Sequence, residues 1–376
     1  MEIITHFEPH PLSHGFLRDE FEQLMVRLSD LGVSDITIST GRPIYIKLHG
    51  QQMHASTRTL QEGEVRQILS WMYGDNATAE IARKRALDMR YEIGIGNGRR
   101  IAFRMNTVGI LSSRGSGQHI TLRAMPSEVP RIEDMGCPQD VVESIDIGKG
   151  LFAIVGETGS GKSTLLAAFM NHINATGRNR KIVTFESPIE FDMTGLKSES
   201  NLIIQSEIGE HLPSFYEGVR AALRQGPTDI LIGEARDKET ILAMLQASES
   251  GHAAYCTVHA ESVKTTFTRI AQEFSTDAFD QVIFKLISQF RVIVCQRLAL
   301  PAQPGLRVPV REWLVIDDEL RRDLSNLTAQ AALLRIEQEV LRRGQDFKAQ
   351  ARRAYGAGLI DRLELAKFAG DEAFDG

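Results

Sequence analysis

The sequence predicts a two-domain α/β protein: a mixed α/β first domain, then a domain with a mainly parallel sheet covered by helices, ending in a helical C-terminal appendage. Three observations predict this class. A chain of 376 residues is too long for one compact core. Short apolar runs alternate with helix-periodic segments through its second half, the pattern of parallel strands joined by crossover helices. From Leu320 onward the residues are charged and helix-periodic. The expected division is a first domain over 1–128, a linker over 129–138, the parallel-sheet domain over 139–320 and the appendage over 321–376.

Each element has its own reason. Between Phe16 and Leu31, Phe21, Leu24, Met25 and Leu28 recur at helical spacing, predicting an amphipathic helix. Ser34–Gly41 alternates like a half-buried strand and then turns; Pro43–Gly50 alternates again, so the two predict a hairpin. Gln61–Tyr73 reads as a helix, and Tyr91–Ile95, Arg100–Asn106 and Gln118–Arg123 as strands, with a glycine-bearing loop over Ser112–Gly117. Pro126, Pro130 and Pro138 punctuate the polar stretch taken as the linker. Beyond it, Gly150–Val155 is a buried strand and Thr164–Ile173 a helix. Further strands follow at Lys181–Phe185, Thr228–Gly233, Ala253–Val258 and Arg291–Cys295.

Composition narrows the setting. A hydrophobic fraction of 42% and a charged fraction of 24% are ordinary for a soluble globular chain. No stretch approaches the apolar length that spans a bilayer, and the N-terminus lacks the basic start and apolar core of a secretory signal. Cys137, Cys256 and Cys295 are far apart and odd in number, which suits a reducing compartment and excludes a paired-cysteine metal site. A cytoplasmic location is expected. A net charge of −6 gives no reason to expect a surface that coats DNA.

The residues Gly156-Glu-Thr-Gly-Ser-Gly-Lys-Ser163 fit Gly-x-x-x-x-Gly-Lys-Ser between a strand and a helix, the context in which that pattern binds phosphate. Gly156, Gly159 and Gly161 let the backbone wrap closely, and the N–H groups from Thr158 through Ser160 to Thr164 are the candidate anion cradle at a helix N-terminus. Lys162 is expected on the β- and γ-phosphates and the Ser163 hydroxyl on Mg²⁺. A nucleoside triphosphate is the expected ligand.

In open parallel sheets, ligands bind beyond the carboxyl ends of the strands. Glu186 follows one strand, in Glu186-Ser-Pro-Ile-Glu190, and Glu234 another, in Glu234-Ala-Arg-Asp237. His252 and His259 bracket a third. Phosphoryl transfer needs one carboxylate to orient water, a second to hold Mg²⁺, often through water, and donors around the γ-phosphate, and these residues supply that set. Glu190, Arg236 and Asp237 keep a second reading as helix caps or salt-bridge partners.

On these residues the chain resembles the hexameric secretion ATPases that drive type IV pili, type II secretion and type IV secretion. The Walker A box of that family matches Gly156–Thr164. Its acidic box matches Glu186–Glu190 with Ser187 in place of the usual Asp, its Walker B matches Gly233–Asp237, and its histidine box matches Gly251–His252 through Thr257–His259. Ser34-Asp-Ile resembles the opening of its PAS-like N-terminal domain. The Glu-Ser-Pro-Ile-Glu variant, Gln205-Ser-Glu-Ile and Tyr355-Gly-Ala-Gly-Leu-Ile resemble the branch of type IVB secretion and conjugation motors that includes DotB and TraJ. Ala332–Val340 is a poor match to the C-terminal signature of the pilus retraction branch.

The resemblance implies a homo-hexameric ATP hydrolase, with ATP and Mg²⁺ lodged between the PAS-like domain and a RecA-like domain. It implies that Arg104 and Arg123 reach the nucleotide, and that Arg220 and Arg224 either line the same interface or face solvent. Glu186 is the expected water-polarising base and Glu234 the expected support for Mg²⁺, with exchange of the two roles left open. The implied partners are inner-membrane secretion-complex components and a larger partner ATPase. Membrane association is then peripheral, at the cytoplasmic face, without direct nucleic-acid contact. The alternatives are a pilus retraction or assembly ATPase of the same family, a RecA-like DNA motor, and a scaffold stabilised by nucleotide.

Overall fold

The computed structural model describes residues 8–370 apart from 14, 49–50, 97–98, 99 beyond its backbone, 113–114, 127 and 304. The chain divides between Glu128 and Val129 into two compact units. The first contains α1 (Arg18–Asp30), β1 (Asp35–Ser39), β2 (Tyr45–Leu48), β3 (Gln51–His54), α2 (Glu62–Tyr73), α3 (Ala77–Ala82), β4 (Leu87–Gly96), β5 (Arg99–Ser112) and β6 (Gly115–Ala124). Its sheet runs β3-β2-β1-β6-β5-β4 with every neighbour antiparallel. One face is apolar because strand alternation puts Ile36, Ile38, Phe103, Met105, Ile120 and Leu122 on the same side. Phe21, Leu24, Met25 and Leu28 of α1 and Val65, Ile68, Leu69 and Met72 of α2 cover that face. Each such side chain contributes roughly 1.5–3 kcal/mol on burial.

The expected hairpin is present, with Ile36 opposite Ile46; its last two residues, 49–50, lie outside the described residues. The expected loop over Ser112–Gly117 is corrected. Strand β5 continues to Ser112 and β6 begins at Gly115, so only 113–114, outside the described residues, separate them. Gly117 serves close approach rather than a turn: a Cβ there would lie 2.8 Å from Thr40 Cβ.

The second unit begins with residues 129–138, including a 3-10 turn over Ile132–Met135. Asn171 Nδ2 donates to the Pro130 carbonyl at 3.0 Å and holds this stretch against the unit. Then follow α4 (Gln139–Ile145), β7 (Gly150–Val155), α5 (Lys162–Thr176), β8 (Lys181–Glu186), β9 (Leu202–Glu207), α6 (Phe215–Ala222), β10 (Asp229–Ile232), α7 (Lys238–Glu249), β11 (Ala253–Val258), α8 (Val263–Ala271), α9 (Phe279–Gln289), β12 (Phe290–Ala299) and β13 (Val308–Val315). Four more helices follow among the described residues: α10 (Asp318–Ser325), α11 (Ala329–Arg342), α12 (Phe347–Gly356) and α13 (Arg362–Ala369).

The sheet order is β13-β12-β7-β11-β10-β8-β9, parallel throughout except for the antiparallel β12–β13 pair. Strands β7, β10 and β11 are buried along their whole length, the signature of a sheet covered on both faces. The terminal helices share the core of one face, through Leu320, Leu324, Ala332, Ile336 and Val340. Among the described residues no helix is long and apolar enough to cross a membrane.

Candidate nucleotide site

Strand β7 delivers the chain at Gly156 into the glycine-rich turn, and α5 starts at Lys162. Gly156 has φ +146, and a Cβ there would lie 2.4 Å from the Gln296 carbonyl oxygen, so only glycine lets the turn lie against β12. Gly161, the N-cap, is left-handed at φ +82. The first turn of α5 leaves amides without intrahelical acceptors, which gives a site for an anion.

Lys162 is only 9% exposed, and its Nζ donates to the Gly156 and Glu157 carbonyl oxygens, both at 2.8 Å. It forms no ion pair among the described residues. Burial pushes its pKa down, opposed first by the charge of Glu234 and also by Glu190. Ser160 Oγ is buried in the same loop without a hydrogen-bond partner. An ammonium held only by carbonyls, an orphaned hydroxyl and open helix amides fit a phosphate chain, and the Ser163 hydroxyl at the start of α5 fits its metal ion.

The sheet order places β11, β10 and β8 beside β7, so their carboxyl ends carry His259, Glu234 and Glu186 along the edge where the phosphate loop sits. Cross-strand bonds continue past the strand ends: Gly233 N–H donates to the Phe185 carbonyl at 2.7 Å and Ala235 N–H to the Thr257 carbonyl at 3.0 Å. These fix Glu234 between its neighbours. Its Oε1 lies 2.5 Å from Arg236 Nε and 3.1 Å from His259 Nε2. Burial, then the charge of Lys162, pushes the His259 pKa below its ordinary value, which keeps the ring mostly neutral at pH 7.

Glu186 Oε1 accepts from the Thr184 hydroxyl at 2.6 Å and from Gln205 Nε2 at 3.0 Å. Gln205 is itself fixed, donating to the Phe191 carbonyl and accepting from Met193 N–H. Neither Thr184 nor Gln205 stands out as a site residue in the sequence, because β9 pairs with β8 only in the folded sheet. A cavity of about 310 Å³ opens beside Glu234, lined by Arg236, Ile241, His259, Arg269 and Glu273. The Arg269–Glu273 pair on and just after α8 was not anticipated either.

Other candidates fall elsewhere. His252 precedes β11 and so sits at the amino edge of the sheet, a six-residue strand away from His259, roughly 20 Å. Its Nδ1 lies 3.1 Å from the Ala247 carbonyl oxygen and 3.0 Å from Ser250 Oγ, closing the turn after α7. The expectation that both histidines act at the phosphate is therefore corrected for His252. Asp237 caps α7 by accepting from Thr240 N–H at 2.8 Å, and Arg236 pairs with Glu234, as their second reading has it. Arg220 and Arg224 are exposed. In the first unit, Arg104 and Arg123 are register neighbours on β5 and β6. Arg104 Nη2 lies 3.1 Å from Asp88, and Arg123 Nε lies 2.9 Å from Asp35.

Residues 19–331 match the family described as Type II/IV secretion system protein, and the chain belongs to that family. The Legionella pneumophila ATPase DotB superposes with a TM-score of 0.83 at 33% identity, covering 96% of this chain and 97% of that one. The pilus retraction motor PilT with bound ADP superposes with a TM-score of 0.80 at 28% identity, covering 93% and 97%. The type IV pilus retraction ATPase PilT of Pseudomonas aeruginosa is 31% identical over 297 residues, 79% of this chain and 82% of that protein. The antiparallel unit is accordingly the PAS-like domain of this fold and the mainly parallel unit its RecA-like domain.

Proposed function

We propose that this chain is an ATP hydrolase that powers a type IVB secretion or conjugative transfer system through ATP-driven domain motion. One observation carries the hydrolase reading: a single edge of the RecA-like sheet gathers a buried Lys162 in a phosphate loop with Glu186, Glu234 and His259.

Lys162 and the amides from Thr158 to Thr164 bind the phosphates. Ser163 and Glu234 would hold Mg²⁺, which would neutralise phosphate charge. Glu186, which accepts from the Thr184 hydroxyl and the Gln205 amide, orients the attacking water and takes its proton. Glu234, engaged by Arg236 and His259, keeps the water network in place. Arg104 and Arg123 supply positive charge to the transition state as the domains close, at the cost of their present carboxylate partners. The expected assembly is a homo-hexamer. It works in the cytoplasm and is recruited peripherally to inner-membrane secretion components, with a larger partner ATPase and without direct nucleic-acid contact.

Phosphate release by the purified protein tests the chemistry. Wild type should turn over ATP and Lys162→Ala should not; equal rates in the two would refute the site. The likeness to DotB supports the type IVB reading, and the likeness to PilT supports the second, pilus retraction. Deleting the chain in its host and assaying plasmid transfer, protein export and pilus-driven motility separates them. Loss of transfer or export with motility intact favours the first, and the reverse favours the second.

A further inference from the structure

The phosphate loop is the end of a buried polar chain that leads away from the carboxylates. Gln296, on β12 and 3% exposed, donates from Nε2 to the Ser160 carbonyl at 2.6 Å. Its Oε1 accepts from Arg311 Nε at 2.7 Å, and Arg311, its register partner on β13, is 5% exposed. Arg311 Nη1 continues to the Gly136 carbonyl at 2.8 Å, in the stretch that opens the second unit. Arg311 forms no ion pair among the described residues. A buried guanidinium is costly unless its donors are met, and here Nε is met by the Gln296 side-chain carbonyl and Nη1 by the Gly136 carbonyl.

The order of the bonds is forced by chemistry. Guanidinium only donates, so the Gln296 carbonyl must face Arg311 and its NH₂ must face the Ser160 carbonyl. The peptide between Ser160 and Gly161 is planar, so fixing its C=O toward Gln296 turns the Gly161 N–H to the opposite side. The loop lies directly on this glutamine: a Cβ at Gly161 would be 2.8 Å from Gln296 Nε2.

We propose that Gln296 and Arg311 are positioning residues for ATP binding, holding the Ser160 peptide so that the Gly161 amide faces the phosphates. This rests on the reading of Gly156–Ser163 as the ATP site. Gln296 fixes the peptide, Arg311 fixes which way Gln296 points, and Gly136 anchors Arg311. Neither side chain touches the nucleotide, so their effect appears in affinity and not in the turnover of the saturated enzyme.

Gln296→Glu tests this because it keeps the size of the side chain and offers Arg311 a carboxylate, yet removes the donor to Ser160. The probe is a fluorescent ATP analogue titrated onto the full chain with Mg²⁺, alongside steady-state phosphate release and thermal melting. The expected result is a Kd and an ATP KM raised about tenfold or more, kcat within about twofold and a melting midpoint no lower than wild type. Arg311→Met, which removes the donor that holds the Gln296 side chain in place, should raise Kd in the same direction and serves if Gln296→Glu does not fold. Wild-type affinity in a folded Gln296→Glu or Arg311→Met, while Lys162→Ala abolishes binding, overturns the proposal and leaves the ATP reading standing. Failure of wild type itself to bind the analogue removes the ATP reading and the proposal with it.

Discussion

Glu186 and Glu234 are both glutamates at strand ends, and they have different neighbours. Glu186 is braced by a hydroxyl and an amide, whereas Glu234 is tied to a guanidinium and an imidazole. Glu186→Gln should therefore bind ATP with near wild-type affinity while phosphate release falls about 10²–10⁴-fold; unchanged release would remove Glu186 as the base. His252→Ala should leave turnover within about twofold of wild type, since His252 closes a turn at the far edge of the sheet. A large loss in that variant with stability intact would return His252 to the site. At this scale the phosphate loop was readable because its residues are contiguous. The bracing of Glu186 by Gln205 was not, because it crosses between strands 19 residues apart in the chain. The histidine pair misled for the opposite reason: seven positions along a strand look close in sequence and are far apart in space.

Among the elements, the sheet's parallel centre was legible from buried apolar runs, and its edges were not. Strand β9, with its mixed exposure, and β13, with Pro309 and Arg311 inside it, lack the uniform apolar run that marks a central strand. The same unit contains a bidentate pair that holds the start of β10: Arg180 Nε donates to Asp229 Oδ2 at 2.7 Å, and Asp229 is fully buried. Asp229→Ala strands that guanidinium and should lower unfolding stability by about 3–5 kcal/mol in denaturant melts; a change under about 1 kcal/mol would contradict this.

The PAS-like unit has a counterpart in Glu64, whose carboxyl the Arg58 guanidinium holds down at about 2. Because the folded value lies below that of the unfolded chain, the stabilisation is complete above about pH 4.5 and is lost as pH falls toward about 2. Glu64→Gln should flatten the fall in urea midpoint across that window, and an unaltered acid limb would show that the pair contributes nothing.

For the whole molecule, two units of distinct sheet type, both legible in outline from length and strand pattern, carry the family's fold. Strand order and the packing of the last four helices on the RecA-like core were beyond reach of periodicity, since both are set by contacts between distant segments. In light scattering with Mg·ATP, the assembly should have six times the 41.9 kDa chain mass. A persistent monomer under turnover would remove the ring from the account. Single-stranded DNA should leave the ATPase rate unchanged, as expected for a chain of net charge −6, whereas salt-sensitive stimulation would favour a DNA motor.

The most direct measurement is a crystal structure of Glu186→Gln soaked with Mg·ATP. A triphosphate should be seated on the amides of Gly159–Ser163, with Lys162 swung from its carbonyls onto the phosphates and the Ser163 hydroxyl on the metal ion. Nucleotide density away from the carboxyl edge of β7, β11, β10 and β8, or a loop whose amides turn from the phosphates, would contradict it.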